Sequence, residues 1–85
     1  MTGMNYKILP TEDFKRDIRK LDPDQKARIK NKIEKVSVDP TRYKHLSYDL
    51  NGSCRLRVGK YRVIFSYDVN KRELYLEKVI FGHRY

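Results

Sequence analysis

The apolar positions of this chain follow two different periods, and the change between them divides it in two. Phe14, Ile18 and Leu21, then Ile29, Ile33 and Val36, recur every three or four residues, which places each set on one face of a helix. Beyond residue 52 the spacing shortens. Leu56 and Val58, then Tyr61, Val63, Phe65 and Tyr67, alternate with other residues, as in strands covered on one side.

Local signals set the boundaries. Residues 5–9 read as a first strand, with Tyr6 and Ile8 on one face and Pro10 stopping it. Thr11 is an N-cap, and Glu12 and Asp13 fall in the first turn, where the helix dipole favours acidic groups. Asp22 caps a second helix with Pro23 at its first position and Gln25 placed to complete a capping box. That helix runs through Lys35 or Val36, and Ala27 lies near its inner stripe; Asp39-Pro40 ends it. Residues 45–50 form a weak strand, Asn51-Gly52 a tight hairpin turn, and residues 53–58 the returning strand. Gly59-Lys60 turns again before a strand at 61–67, and residues 68–71 lead to a last strand at 73–81. The order β-α-α-β-β-β-β predicts an α+β domain: an antiparallel meander with the helical hairpin on one face.

Composition narrows the class. Eighty-five residues suffice for a single domain spanning 1–85, of which 1–4 read as a frayed start, and there is no internal repeat or low-complexity tract. No apolar run approaches the ~20 residues of a membrane span, and no apolar stretch follows the N-terminus, so a soluble, cytoplasmic protein is expected. Cys54 is the single cysteine, too few for an internal disulfide or a thiolate metal site, and is expected as a small half-buried strand residue. Asn51-Gly52-Ser53 matches a glycosylation sequon, but its Asn-Gly pair is explained by the turn. Twenty Lys and Arg against eleven Asp and Glu give a net charge of +9, which favours a polyanionic partner over a merely solubilising surface.

Alternation aims that charge. In "RLRVGKYRVIF" Leu56 and Val58 share one face, so Arg55 and Arg57 take the other, and Arg62 joins them from the next strand with Ile64 and Ser66. Helices cover only one face, so the arginines belong on the open one. Like charges facing each other across strands cost stability, and an anion offsets that cost. Charged residues also guard an exposed sheet against aggregation, and alternation does not choose between the two uses.

The same stretch, followed by a strand ending "VIFGHRY", resembles the RelE/ParE superfamily of toxins from toxin–antitoxin modules. The shared pattern is a basic strand, a G-x-Y-R turn, an apolar strand and a His/Lys-Arg pair near the end. The helical hairpin and "HLSYDLNGS" fit it too, so the resemblance covers nearly the whole chain. Its RelE branch implies a ribosome-dependent endoribonuclease that cuts mRNA in the ribosomal A site, without metal or cofactor. The resemblance then implies that Arg55, Arg57, Arg62 and Arg84 hold the scissile phosphate and adjoining backbone. RelE carries a further segment with a functional tyrosine, whereas this sequence stops at Tyr85; His83 and Tyr85 are similar to the tail of the YoeB branch. The ParE branch shares much of the pattern yet poisons DNA gyrase. A toxin of this class also implies a cognate antitoxin, acidic and partly disordered, able to wrap the basic face.

The chemistry such a site needs is definite. RNA cleavage without metal has the 2′-hydroxyl attack the neighbouring phosphate, so one group takes that proton, another protonates the leaving 5′-oxygen, and cations hold the charge on phosphorus. Guanidinium grips phosphate bidentately but is no proton acceptor. His83 suits proton transfer and Tyr85 suits proton donation or base stacking, with a frayed terminus as the alternative for both. Asp49 and Glu77 are available carboxylates that no spacing singles out, and His45 reads as structural. Lys60 in the turn, and Lys26 and Lys30 with Arg28 and Lys32 on the second helix, are further phosphate contacts, or simply a solvated exterior. Phosphate-binding glycine loops, HExxH, GXXG and RRM signatures do not occur.

Overall fold

Two side chains begin the helices. In the computed structural model, which describes residues 5–43 and 53–81, Thr11 Oγ1 accepts the Phe14 N–H at 3.3 Å and opens α1 (Glu12–Arg19). The same hydroxyl donates to the Leu76 carbonyl at 2.9 Å, tying the start of α1 to the last strand. Asp22 Oδ1 accepts the Gln25 N–H at 2.9 Å and opens α2 (Pro23–Val38), with Pro23 in the first turn. The capping box stays half made: Gln25 Oε1 is buried without a partner, so only the Asp22 half forms. A 3-10 turn (Pro40–Tyr43) follows.

Among the described residues four strands make one sheet: β1 (Lys7–Pro10), β2 (Cys54–Val58), β3 (Tyr61–Asp68) and β4 (Glu73–Phe81), in the order β1-β4-β3-β2. Strands β2, β3 and β4 form the expected antiparallel run, but β1 pairs with β4 in parallel, from Lys7↔Glu73 to Pro10↔Leu76. The sheet is therefore mixed and not strictly a meander. The helical hairpin carries the chain from β1 to β2 at the opposite edge of the sheet, and the antiparallel return through β3 brings β4 beside β1 in parallel. Pro10 lies inside β1, where an edge strand tolerates its missing N–H. The predicted strand at 45–50 and its Asn51-Gly52 turn lie outside the described residues.

The helices lay Phe14, Ile29, Ile33 and Val36 on Cys54, Leu56, Val58, Val63, Phe65, Leu74 and Leu76. Cys54 is fully buried rather than half-buried. Ala27 is exposed: it precedes Ile29 by two positions, about 200° round the helix, and so lies opposite the inner stripe. Strand β4 carries one irregularity. Ile64 faces Lys78 and Phe65 faces Leu76, so Glu77 is an extra residue with no partner in β3, a β-bulge.

Candidate nucleic-acid interface

Register fixes the face that the helices leave open. Leu56, Val58, Val63 and Phe65 point inward and are buried, so Arg55, Arg57, Arg62, Ile64 and Ser66 point outward. Arg57 and Arg62 are direct cross-strand partners, and Arg55 stands opposite Ile64. Lys78, opposite Ile64 on the other side, and Ile80, opposite Arg62, extend the face onto β4. Arg55, Arg57 and Lys78 are exposed and Arg62 is half-buried. The tight turn that joins β2 to β3 needs Gly59 at φ +61°, in the left-handed region, and leaves Lys60 exposed at the arginine end. The three arginines of the predicted hairpin thus stand together.

The bulge changes what lies beside them. Without it Glu77 and Lys78 would take opposite faces; with it both look outward, while Val79 returns to the inner side. Glu77 Oε2 accepts the Ser66 hydroxyl at 2.6 Å, and Oε1 accepts the Ser53 hydroxyl at 3.3 Å. A carboxylate is therefore held on the arginine face from two neighbouring strands. Spacing along the chain does not single out Glu77, yet a signal is present: in "ELYLEKVIF" the alternation of Leu74 and Leu76 slips at Glu77-Lys78 before Val79 and Phe81 resume it. Farther along the face the Tyr75 hydroxyl donates to Glu73 at 2.5 Å. That hydrogen bond, with desolvation and the negative charges of Glu73 and Asp68, pushes the Tyr75 phenol up to about 12.

The helical cations divide into two groups. Arg28, Lys32 and Lys35, one helical face apart by four and three residues, line a notch of about 580 Å³ with Asn31, Arg57, Val58 and Gly59. Arg57 therefore joins the open sheet face to a second basic surface round the edge strand. Lys26 and Lys30, expected as phosphate contacts, lie elsewhere. They flank an apolar cleft of about 310 Å³ formed by Ile8, Phe14, Ile18, Ile29, Ile33 and Leu76. The helix period explains the division, since residues two apart point about 200° away from each other. The period separates the two groups, and how α2 lies across the sheet decides which of them meets Arg57.

His83, Arg84 and Tyr85, together with His45 and Asp49, lie outside the described residues. Among the described residues no cluster of three or more His, Cys, Asp or Glu is arranged to hold a metal ion, and no helix is long and apolar enough to cross a membrane.

A family model described as the ParE toxin of the type II toxin–antitoxin system parDE matches residues 8–84. The chain belongs to that toxin family. Among solved structures the fold is similar to the RelBE2 toxin–antitoxin complex from Mycobacterium tuberculosis, with a TM-score of 0.80 at 22% identity over 98% of each chain. The isolated E. coli RelE toxin gives 0.80 at 17% identity, covering 94% of this chain and 87% of that one. The archaeal RelE–RelB complex from Pyrococcus horikoshii OT3 gives 0.76 at 16% identity, covering 95% and 99%. No curated protein sequence matches the chain. Membership of the RelE/ParE superfamily, expected from the hairpin and the "FGHRY" ending, is thus established, and the α+β fold is that of the RelE toxins.

Proposed function

We propose that this toxin is a RelE-type endoribonuclease that cuts mRNA on the ribosome without metal or cofactor, and so blocks translation in the cytoplasm. The observation that carries the reading is the direct pairing of Arg57 with Arg62 on the sheet face that neither α1 nor α2 covers, with Arg55 beside them. Three guanidinium groups gathered where like charge costs stability form a ready receptor for a phosphodiester and the charge it gains in cleavage. Arg84 is assigned a further phosphate contact, and His83 with Tyr85 proton transfer or base stacking, by the resemblance of "FGHRY". Lys60 and the Arg28, Lys32 and Lys35 notch extend the cationic surface along which ribosomal RNA phosphates are bound. A cognate acidic antitoxin neutralises the protein, in keeping with the toxin–antitoxin complexes among its structural relatives.

A second reading has its own support, because the matching family model is that of ParE toxins. In that reading the protein inhibits DNA gyrase by binding and cuts nothing. Primer extension on ribosome-bound mRNA, run beside a gyrase supercoiling assay, separates the two. Cleavage within the A-site codon, lost in Arg62→Ala and Arg84→Ala, is the expected outcome. Intact mRNA with inhibited gyrase would reverse the assignment, and ribosome co-sedimentation without cleavage or growth inhibition would mark a non-catalytic RNA-binding member.

A further inference from the structure

The arginines of this face cannot accept the proton of the attacking 2′-hydroxyl, since guanidinium stays charged throughout. The β4 bulge places one there. Resting on the ribonuclease reading above, we propose that Glu77 is the general base that deprotonates the attacking 2′-hydroxyl.

Three observations carry this. First, Glu77 is turned to the arginine face by an extra residue in β4, which sets it next to Lys78 on the same side of the sheet. Second, the face is ordered in rows. Ser66 and Tyr75 pair in one row, Arg55, Ile64 and Lys78 form the next, about 7 Å along the strands, and Glu77 sits between the two as the unpaired bulge residue, bonded to Ser66. Arg57 and Arg62 follow one row farther on. A phosphate held by Arg55 and Lys78 therefore presents the sugar on one side of it to Glu77, within the span of a single nucleotide. Third, the carboxylate is oriented. Ser66 and Ser53 each donate to one of its oxygens, from β3 and from the residue before β2. A carboxylate has about four acceptor positions, so two hydroxyl partners leave room for a third.

The step balances without any further reactant. The 2′-hydroxyl proton passes to a Glu77 oxygen as the O2′–P bond forms. The P–O5′ bond breaks, and the departing 5′-oxygen takes a proton from water. The products are a 2′,3′-cyclic phosphate and a 5′-hydroxyl, and the glutamic acid returns its proton to solvent. Among the described residues, the charged and titratable groups near Glu77 are Arg55 from β2, Tyr75 and Lys78 from β4 and, from α1, Asp17, whose Oδ2 accepts the Val79 N–H; β3 contributes Ser66, and the Thr11 hydroxyl donates to the Glu77 carbonyl.

The test uses the full chain on ribosomes programmed with mRNA. Glu77→Gln, which keeps the shape and one acceptor for Ser66, should slow single-turnover cleavage by about 100-fold or more, the usual contribution of a general base. Its ribosome co-sedimentation and melting temperature should match the unsubstituted chain. Cleavage by Glu77→Gln within about threefold of the unsubstituted rate, far below the loss of a base, would overturn the inference and leave the ribonuclease reading intact. No cleavage by the unsubstituted protein would overturn both. Should Glu77→Gln melt early, Glu77→Asp, which keeps a carboxylate, decides: cleavage well above that of Glu77→Gln supports the base, and equal cleavage by the two variants overturns it.

Discussion

Arg57 is the residue at which stability and the proposed function pull in opposite directions. It faces Arg62 across the β2–β3 ladder and shares the notch with Arg28, Lys32 and Lys35. For two unit charges roughly 7 Å apart, Coulomb's law gives about 0.6 kcal/mol in water. A Debye length of about 10 Å at 0.1 M salt halves that. Four cationic neighbours then set the cost of the Arg57 charge at about 1 kcal/mol, a sum consistent with the penalty for like charges across a sheet. Arg57→Gln removes the charge and keeps most of the stem, so the free protein should become more stable by about that amount. In a domain of this size 1 kcal/mol moves the melting temperature by about 4–8 °C. The gain should fade at 1 M salt, where the Debye length falls to about 3 Å. RNA affinity should weaken in the same variant, with the slope of log K against log salt reduced by about 1. Calorimetry at two salt concentrations and filter binding to single-stranded RNA measure both effects. A variant that is less stable at low salt, or whose stabilisation persists unchanged at 1 M, would refute the electrostatic account of this face.

Other consequences concern the frame that holds the site. Leu74 is fully buried under the helices, and Leu74→Ala should cost about 2–5 kcal/mol in urea unfolding, with the larger values expected if the cavity does not collapse. Thr11→Val removes both the N-cap of α1 and the hydroxyl bond to Leu76, for a loss of about 1–3 kcal/mol that Thr11→Ser should largely restore. Glu73→Gln should return the Tyr75 phenol, pushed up to about 12, toward the ordinary value near 10 in an absorbance titration. The fold favours the protonated phenol, so this contribution to stability is complete below the unfolded value near 10 and is lost as pH rises through about 12.

Much of this molecule is legible in its sequence, because its local signals and its burial pattern agree. Asp22-Pro23 and Thr11 do begin the two helices, and Ile29, Ile33 and Val36 are the buried stripe. Strand alternation places Arg55, Arg57 and Arg62 on one face, since period two is a property of the backbone and needs no partner. Period alone does not reveal which helical cations share a surface with those arginines. Lys26 and Lys30 go to the apolar cleft and Arg28, Lys32 and Lys35 to the basic notch, a division set by how α2 lies across the sheet.

The amino-acid order by itself determined the elements, the inward and outward face of each, the charge and the family, all of which depend on neighbours a few residues away. Tertiary structure alone decided three things. It put β1 beside β4 in parallel, because the helical hairpin delivers the chain to β2 at the far edge and the antiparallel run through β3 returns β4 to β1. It joined Arg57 to the helix notch across about 25 residues of chain. It also turned Glu77 toward Ser53 and Ser66, because a bulge exists only between two strands whose registers must both be satisfied.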